Sequence, residues 1–440
     1  MTNGRPQSTW IRDSLYNLVP LSPEVLAVMQ QPAFLRLDGI QQLGFASRIW
    51  PGAKHTRYEH SLGVMHLTER AVNHLRATPR GQFITQEDAQ VVIAAALLHD
   101  IGHYPFSHAI EELGAPVRTH EDVGTEIIAS GEIANVLQRS WNIDPARVAA
   151  MVNGDLARMH EHDRILSGLL SGTLDMDKLD YLPRDARACN VPYGGVDTDR
   201  LIASLTVLET PTGEQRIGIG DKGVSPLHSL INARQEMFDN VYWHHTNRAC
   251  MVMLLRAVQD ALIAEAITAH SLTNHHDASL LAMLQNEHMP SSTRELAHAL
   301  EMRRIHKRGV EISARTGELY DRLGQLWYDR AKRRSVELRM IEKLRELCDQ
   351  KVSETAILID IPKPEKWKTD VWVEFGRPPV GMDDLMHWQD VVGLNDEHFK
   401  RYEEHRRLIR LVADTSVVEI VREKWKQILI PALNEEVTHE

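Results

Sequence analysis

The unbroken apolar run at residues 91–98, Val-Val-Ile-Ala-Ala-Ala-Leu-Leu, constrains this chain more than any other stretch. Its spacing is helical, Thr85 stands ahead of it as an N-cap with Asp88 three residues on, and Gly102 offers a stop. A helix that is apolar all round is buried, so the run predicts an interior helix that ends in the polar step His99-Asp100. The run is far shorter than the ~20 residues that cross a bilayer. No basic-then-apolar signal segment opens the sequence, and a cytoplasmic location is expected.

Helical spacing with mixed surface charge recurs at 230–268, 292–308, 315–351 and 396–428. Strand signals are few. They are 201–219, where Pro211-Thr212-Gly213-Glu214 reads as a hairpin turn, and the β-branched and aromatic runs 355–361 and 371–375, read as a strand pair. The fold class expected is mainly α, a helical core with small β-hairpin and strand additions. The expected division is an N-terminal segment 1–30, a catalytic core 31–268 and a mainly helical C-terminal region 269–440. Arg330, Lys332, Arg333 and Arg334 share their segment with Asp329, Glu337 and Glu342, and are read as a solvated helix face.

Composition narrows the chemistry. Cys189, Cys250 and Cys348 are widely spaced, which argues against a disulfide framework or a thiolate zinc site. A formal charge of -11 disfavours an extended nucleic-acid surface, though a local basic pocket for phosphates is compatible with it. Of 23 histidines, eight (His55, His60, His66, His74, His99, His103, His108, His120) crowd into residues 55–120. Imidazole with carboxylate suits a divalent or transition ion, Mn, Mg, Fe, Ni or Zn, with open positions for water. At a helix end two neighbours can converge on one ion, which His99-Asp100 could do. The plain alternative is a histidine meeting the helix dipole beside a solvated aspartate.

The context decides between these. Residues 51–64 (Pro-Gly-Ala-Lys-His-Thr-Arg-Tyr-Glu-His-Ser-Leu-Gly-Val), 98–108 (Leu-His-Asp-Ile-Gly-His-Tyr-Pro-Phe-Ser-His), Thr119-His120-Glu121 and 175–181 (Asp-Met-Asp-Lys-Leu-Asp-Tyr) resemble the HD-domain deoxynucleoside triphosphate triphosphohydrolases. The resemblance is dense from about residue 31 to 250 and thin beyond. It implies His60, His99, Asp100 and Asp177 as metal ligands. It implies His103 and His120 as acid/base or phosphate-polarising groups, with Glu121 and Glu111 orienting them and His108 in a structural or phosphate-contacting role. Glu111 departs from the family, which has Asp there. On the substrate side the resemblance implies Arg57, Lys178 and Arg234 against phosphates, Tyr181 and Tyr242 around the sugar, and Gln42, Leu43 and Asp185 reading a deoxyribose. Lys178, Tyr181 and Asp185 fall on one helical face, which Pro183 would complicate. Where activated members hold a guanine nucleotide this chain has Gln30, Leu35 and Asp38, so that pocket is not reproduced, and any activating nucleotide would be held by other residues.

The function implied is metal-dependent hydrolysis of a deoxynucleoside triphosphate to deoxynucleoside and inorganic triphosphate. Two alternatives stay open: an HD phosphohydrolase acting on monophosphates, cyclic nucleotides or nucleic-acid ends, and a nucleotide-binding regulatory assembly. The partners implied are the nucleotide substrate, possible activating nucleotides and further copies of the chain as a dimer or tetramer. No membrane contact is expected. The apolar, Met-rich stretch 251–255 reads better as core than as interface.

Overall fold

The computed structural model describes residues 9–348, 351–363, 369–394, 397 and 406–434. The run 91–98 lies within the helix Gln86–Leu98, whose start is fixed by a reciprocal cap: Thr85 Oγ1 accepts from the Asp88 N–H, and the Asp88 carboxylate accepts from the Thr85 N–H. All of the run except Ile93 is buried. The helices Arg57–Arg76 and Pro145–Asn153 pack against it, Met176–Cys189 packs on the former, and His120–Ala129 packs on the latter. The fold is thus mainly helical, with small sheets added. Among the described residues no helix is long and apolar enough to cross a membrane.

Two glycines set the spacing of this core. A Cβ on Gly63 would stand 2.0 Å from Asp180 Oδ1 and 2.5 Å from an Arg184 nitrogen, so the helices Arg57–Arg76 and Met176–Cys189 meet only because none is there. A Cβ on Gly102 would lie 2.1 Å from the His120 carbonyl and 2.3 Å from the Gly124 nitrogen. That contact draws the loop after Gln86–Leu98 onto the first turn of His120–Ala129. Gly102 is therefore a close-approach position rather than a helix stop, since the helix has already ended at Leu98.

Among the described residues the strands form three sheets. β1 (Thr9–Asp13) and β2 (Asn17–Leu21) make an antiparallel hairpin that the sequence reading does not anticipate. β3 (Leu205–Glu209) and β4 (Gln215–Gly220) form the expected hairpin, although residues 201–203 belong to the helix Thr198–Ala203. The strand pair expected near 355–375 is corrected: β6 (Ile357–Asp360) and β7 (Trp372–Glu374) belong to different sheets. β7 runs parallel to β4 and antiparallel to β8 (Leu385–His387), whereas β6 joins β5 (Lys307–Ile312) through β9 (Ile409–Ala413) in the order β5-β9-β6. The reason is burial. β6 and β9 are buried at every residue, with Leu358 and Val412 in one apolar cluster and Ile357, Ile359, Ile409 and Leu411 in another. A strand apolar on both faces needs a layer on each side.

The helical readings need similar adjustment. Segment 230–268 resolves into Val224–Met237, a π-helical turn Phe238–Tyr242 and His245–Ile263, in which residues 252–255 are core. Segment 292–308 is Ser291–Glu301 followed by the start of β5, and 315–351 contains Glu318–Gln325 and Arg330–Glu346. Segment 396–428 holds β9 before the helix Val418–Asn434, while 396 and 398–405 lie outside the described residues. The solvated-face reading of 330–334 holds for Lys332, which is exposed, and is corrected for the three arginines. Arg333 is 3% exposed, and Arg330 and Arg334 are half-buried, because this side of their helix packs on β6.

Gly102→Ala forces overpacking at a backbone-to-backbone contact, so it should cost about 1–3 kcal/mol and lower the denaturation midpoint. An unchanged midpoint would contradict the close approach.

Candidate metal centre

His99 and Asp100 leave the Gln86–Leu98 helix where backbone geometry is changing, and their side chains turn toward His60 of Arg57–Arg76 and Asp177 of Met176–Cys189. His60 Nε2 is 2.9 Å from Asp177 Oδ1 and 3.8 Å from Asp100 Oδ2. His99 Nε2 is 3.3 Å from Asp100 Oδ1 and 3.7 Å from Asp177 Oδ1. Ligand atoms of His60, His99 and Asp100 all lie within 4.8 Å of one another. The ring of His99 is held by Nδ1–H donating to the Ala96 carbonyl at 2.8 Å. That leaves Nε2 as a lone pair, buried and without a hydrogen-bond partner, facing carboxylate oxygens. Acceptors crowded on one point repel unless a cation sits among them, so the residues fit a metal ion of the N/O-ligated class. His60 shows the same demand for positive charge. Burial alone would lower its pKa, but its hydrogen bonds to the Asp177 and Asp180 carboxylates outweigh it and push it up to about 10.

Asp100 joins this group to a second one. It is 3% exposed and touches Arg57 Nη1, His60, His99 and His103. Burial would raise its carboxyl, but Arg57, His99 and His103 hold it well below the usual range. His103 Nε2 lies 3.1 Å from Asp100 Oδ1, an ion-pair distance without hydrogen-bond alignment, since both His103 nitrogens are buried and lack hydrogen-bond partners. The His103 ring stacks on His120 at 3.9 Å and 14°, in the contact that Gly102 permits. His120 Nδ1 is 2.8 Å from Glu111 Oε1 and 3.3 Å from Glu121 Oε2. Two stacked imidazoles in one buried space titrate apart. Burial, with Arg57 and His120 nearby, drives the His103 pKa well down; at His120 the bond to Glu111 outweighs burial and raises it. His108 stands at the rim, its side chain 63% exposed and Nδ1 3.7 Å from Glu111 Oε2.

The expected phosphate and sugar residues surround these groups. Arg57 is already engaged, with Nη1 on Asp100 and Nε donating to Ser107 Oγ, whose hydroxyl donates to the Gln41 and Gln42 carbonyls. Lys178 donates to Asp175 Oδ2 at 2.5 Å and to the Gly172 carbonyl at 2.9 Å. Tyr181 packs edge-on against His60 and Tyr242, at 6.4 and 6.2 Å. Arg234 lies over Phe238 at 5.5 Å and near enough to Tyr181 to act on its hydroxyl. Tyr242, in the π turn, donates to Asp185 Oδ2 at 2.7 Å. Met176–Cys189 runs through Pro183 as one helix, so Tyr181 and Asp185 do face Tyr242 together, while Lys178 turns back to its own N-cap. Gln42 Oε1 is buried without a hydrogen-bond partner, and Leu43 is half-buried against the core.

Four supporting residues escape the sequence reading. Asp180, fully buried, takes His60 Nδ1 at 2.7 Å, both Nε and Nη2 of Arg184, and the Tyr16 hydroxyl, and Arg184 reaches on to Asp13 of β1. His55 Nε2 lies 2.7 Å from Asp185 Oδ1, opposite Tyr242. Arg36 clamps the carbonyls of Ile101 and His103. Asp277 accepts from the Phe106 and Gln41 N–H groups, and burial pushes its pKa up to about 6. Phe106 and Ser107 both have positive φ, 58° and 60°, uncommon for bulky side chains. The Asp277 bond and the stacking of Phe45 on Phe106 at 4.3 Å hold that turn. Asp180 stands within the quoted 175–181 stretch, and a second aspartate three residues after a ligand is the signal that could have revealed it.

Comparison with known proteins places these residues in context. A family model described as HD domain matches residues 57–182, and one described as HD associated region matches 196–377. An uncharacterised protein of Methanocaldococcus jannaschii is 30% identical over 69% of this chain and 60% of its own length. The human deoxynucleoside triphosphate triphosphohydrolase SAMHD1 is 29% identical over 56% of this chain and 44% of its own. A hypothetical protein from Aquifex aeolicus, known from its crystal structure, superposes with a TM-score of 0.70 at 26% identity, covering 95% of this chain and all of the other. The chain spans about half the length of the curated relatives it matches.

Asp180→Asn should loosen metal binding by roughly 10–100-fold, as loss of a carboxylate behind a ligating imidazole does, with the fold retained. Chelator competition on purified protein measures it, and unchanged affinity would remove Asp180 from the centre.

Proposed function

We infer from a chain that belongs to the HD-domain family, with an HD-associated region after the HD domain, that it is a metal-dependent phosphohydrolase acting on deoxynucleoside triphosphates. One observation carries this reading: Asp100 lies between the cluster of His60, His99 and Asp177 and the His103–His120–Glu111 group. Metal ligation and proton handling then share one carboxylate.

A bound divalent ion would supply a Lewis acid for a phosphate oxygen and a lowered pKa for water. The chain's own residues do the rest. His120, whose proton the bond to Glu111 holds more firmly, is the acid that can give a proton to the departing 5′-oxygen of the sugar. His103, kept neutral, lies between that acid and Asp100. Arg57 and Lys178 are cations already near the centre that an incoming phosphate chain can draw from Asp100 and Asp175. The unpartnered Gln42 Oε1 and the Asp185 carboxylate offer acceptors to a sugar hydroxyl, with Tyr242 and Leu43 as apolar walls. A 2′-hydroxyl pressed against such a wall without a partner costs ~1–3 kcal/mol, about tenfold to a hundredfold in discrimination.

Product analysis with four deoxynucleoside and four nucleoside triphosphates, with Mn²⁺ or with EDTA, tests the reading. Expected are deoxynucleoside plus inorganic triphosphate, a tenfold or greater preference for the deoxy sugar, and loss of activity and of bound metal in Asp177→Ala. Pyrophosphate plus monophosphate, or equal rates with ATP and dATP, would overturn it.

His120→Ala should lower kcat by roughly 10²–10⁴ with metal content unchanged. A raised imidazole pKa means the acid form persists at low pH and is lost as pH rises through that pKa, which gives the rate profile an alkaline limb. Glu111→Gln removes the main raising interaction, so the limb should move to lower pH. An unmoved limb would exclude His120 as the acid.

A further inference from the structure

We propose that Arg330 and Arg333, with the indole N–H of Trp327, form a binding site for a phosphate-bearing anion at the start of the helix Arg330–Glu346, separate from the Asp100 centre. Arg333 is 3% exposed, and among the described residues its guanidinium makes no hydrogen bond or ion pair. Its Nε, Arg330 Nη1 and Trp327 Nε1 are all buried without a partner. Arg330 lies over the Trp327 ring at 5.0 Å, and Arg333 follows one helical turn later on the same face, so the three groups are neighbours. Every unmet group in this place is a donor, and two are cationic.

The carboxylates within reach are spent elsewhere. Glu337 accepts from Arg256 and from the Ile359 N–H, Glu112 from Arg248, Asp360 from Arg248 and Arg410, and Asp260 from Arg256 and Arg334. Burial and the adjacent Arg333 pull the Arg330 guanidinium down to about 10, as two cations close together in a partly desolvated place do. An isolated buried charge is costly unless something of opposite sign meets it. Guanidinium is weakly hydrated and presents a planar fork that matches phosphate oxygens two at a time, so the chemistry the place asks for is an acceptor-only, multiply charged oxyanion. Arg330 also feels Arg248 and Glu112, so the site borders the ion pair next to Glu111.

The test is isothermal titration of the full chain, and of its Arg333→Met and Arg333→Lys variants, with inorganic phosphate, inorganic triphosphate and dATP in the presence of EDTA. Arg333→Met should weaken anion binding at least tenfold, with Arg333→Lys between it and the parent. Tighter binding of dATP than of bare triphosphate would assign the anion to a nucleotide, and equal binding to the free oxyanion; in both cases the loss in Arg333→Met supports the site. Arg333→Met should melt no lower than the parent in phosphate-free buffer, since it removes a buried charge that has no protein partner, and phosphate should raise the parent's melting temperature more than the variant's. Anion affinities equal in parent and variants, or an Arg333→Met protein that is destabilised equally with and without phosphate, would overturn the proposal. None of these readouts depends on turnover, so the hydrolytic reading stands or falls separately.

Discussion

The buried carboxylate of Asp100 is the constraint on which the rest of the centre depends. An anion that far from water must be surrounded by groups that carry or attract positive charge, and four do so: Arg57, His60, His99 and His103. They come from three separately placed stretches. Arg57 and His60 sit in the first turn of one helix, His99 at the end of another, and His103 on the loop that Arg36 clamps. Meeting the charge of Asp100 therefore fixes the mutual position of three stretches of chain. Behind it, Asp180 does the same for His60 and ties in the N-terminal hairpin through Tyr16 and Arg184.

Much of this is legible in the sequence, and the limits are physical. The interior helix is readable because its cap and its apolar run are local, and His60, His99, Asp100 and Asp177 stand out through spacing and company. Asp180 and His55 are harder to read because their roles lie in what they hold, and such a residue leaves little local pattern, for Asp180 only its place three residues after a ligand. Arg57 and Lys178 read as open cations, yet both are paired within the chain, because a buried pocket of carboxylates recruits the nearest positive charge. The strands beyond residue 300 are misassigned for a related reason: β6 is followed about ten residues later by a second strand-like run, but pairing is decided by which strand can be covered on both faces, and β9 is about fifty residues away.

Two of the unmet places among the described residues are opposites. At His99 the unmet atom is an acceptor that faces carboxylate oxygens, and at Trp327, Arg330 and Arg333 the unmet atoms are donors. Secondary structure satisfies its own polar groups in pairs, so a one-sided surplus inside a fold signals a partner that the chain itself does not supply. Between the two lies a chain of ion pairs from Glu112 through Arg248 to Asp360 and Arg410, which also fastens β6 and β9 to the helix His245–Ile263.

Asp277 carries a consequence for how this molecule can be dissected. It comes from beyond the matched HD segment, yet its two oxygens hold Phe106, in the turn after His103, and Gln41, next to the acceptor at Gln42. A fragment cut after the long helix His245–Ile263 would keep every candidate ligand and lose the brace that keeps their loop in its left-handed turn. The smallest portable unit of this chemistry is therefore longer than the motif that announces it, and transplanting the histidines without the later helix would move the letters of the site but not its spelling.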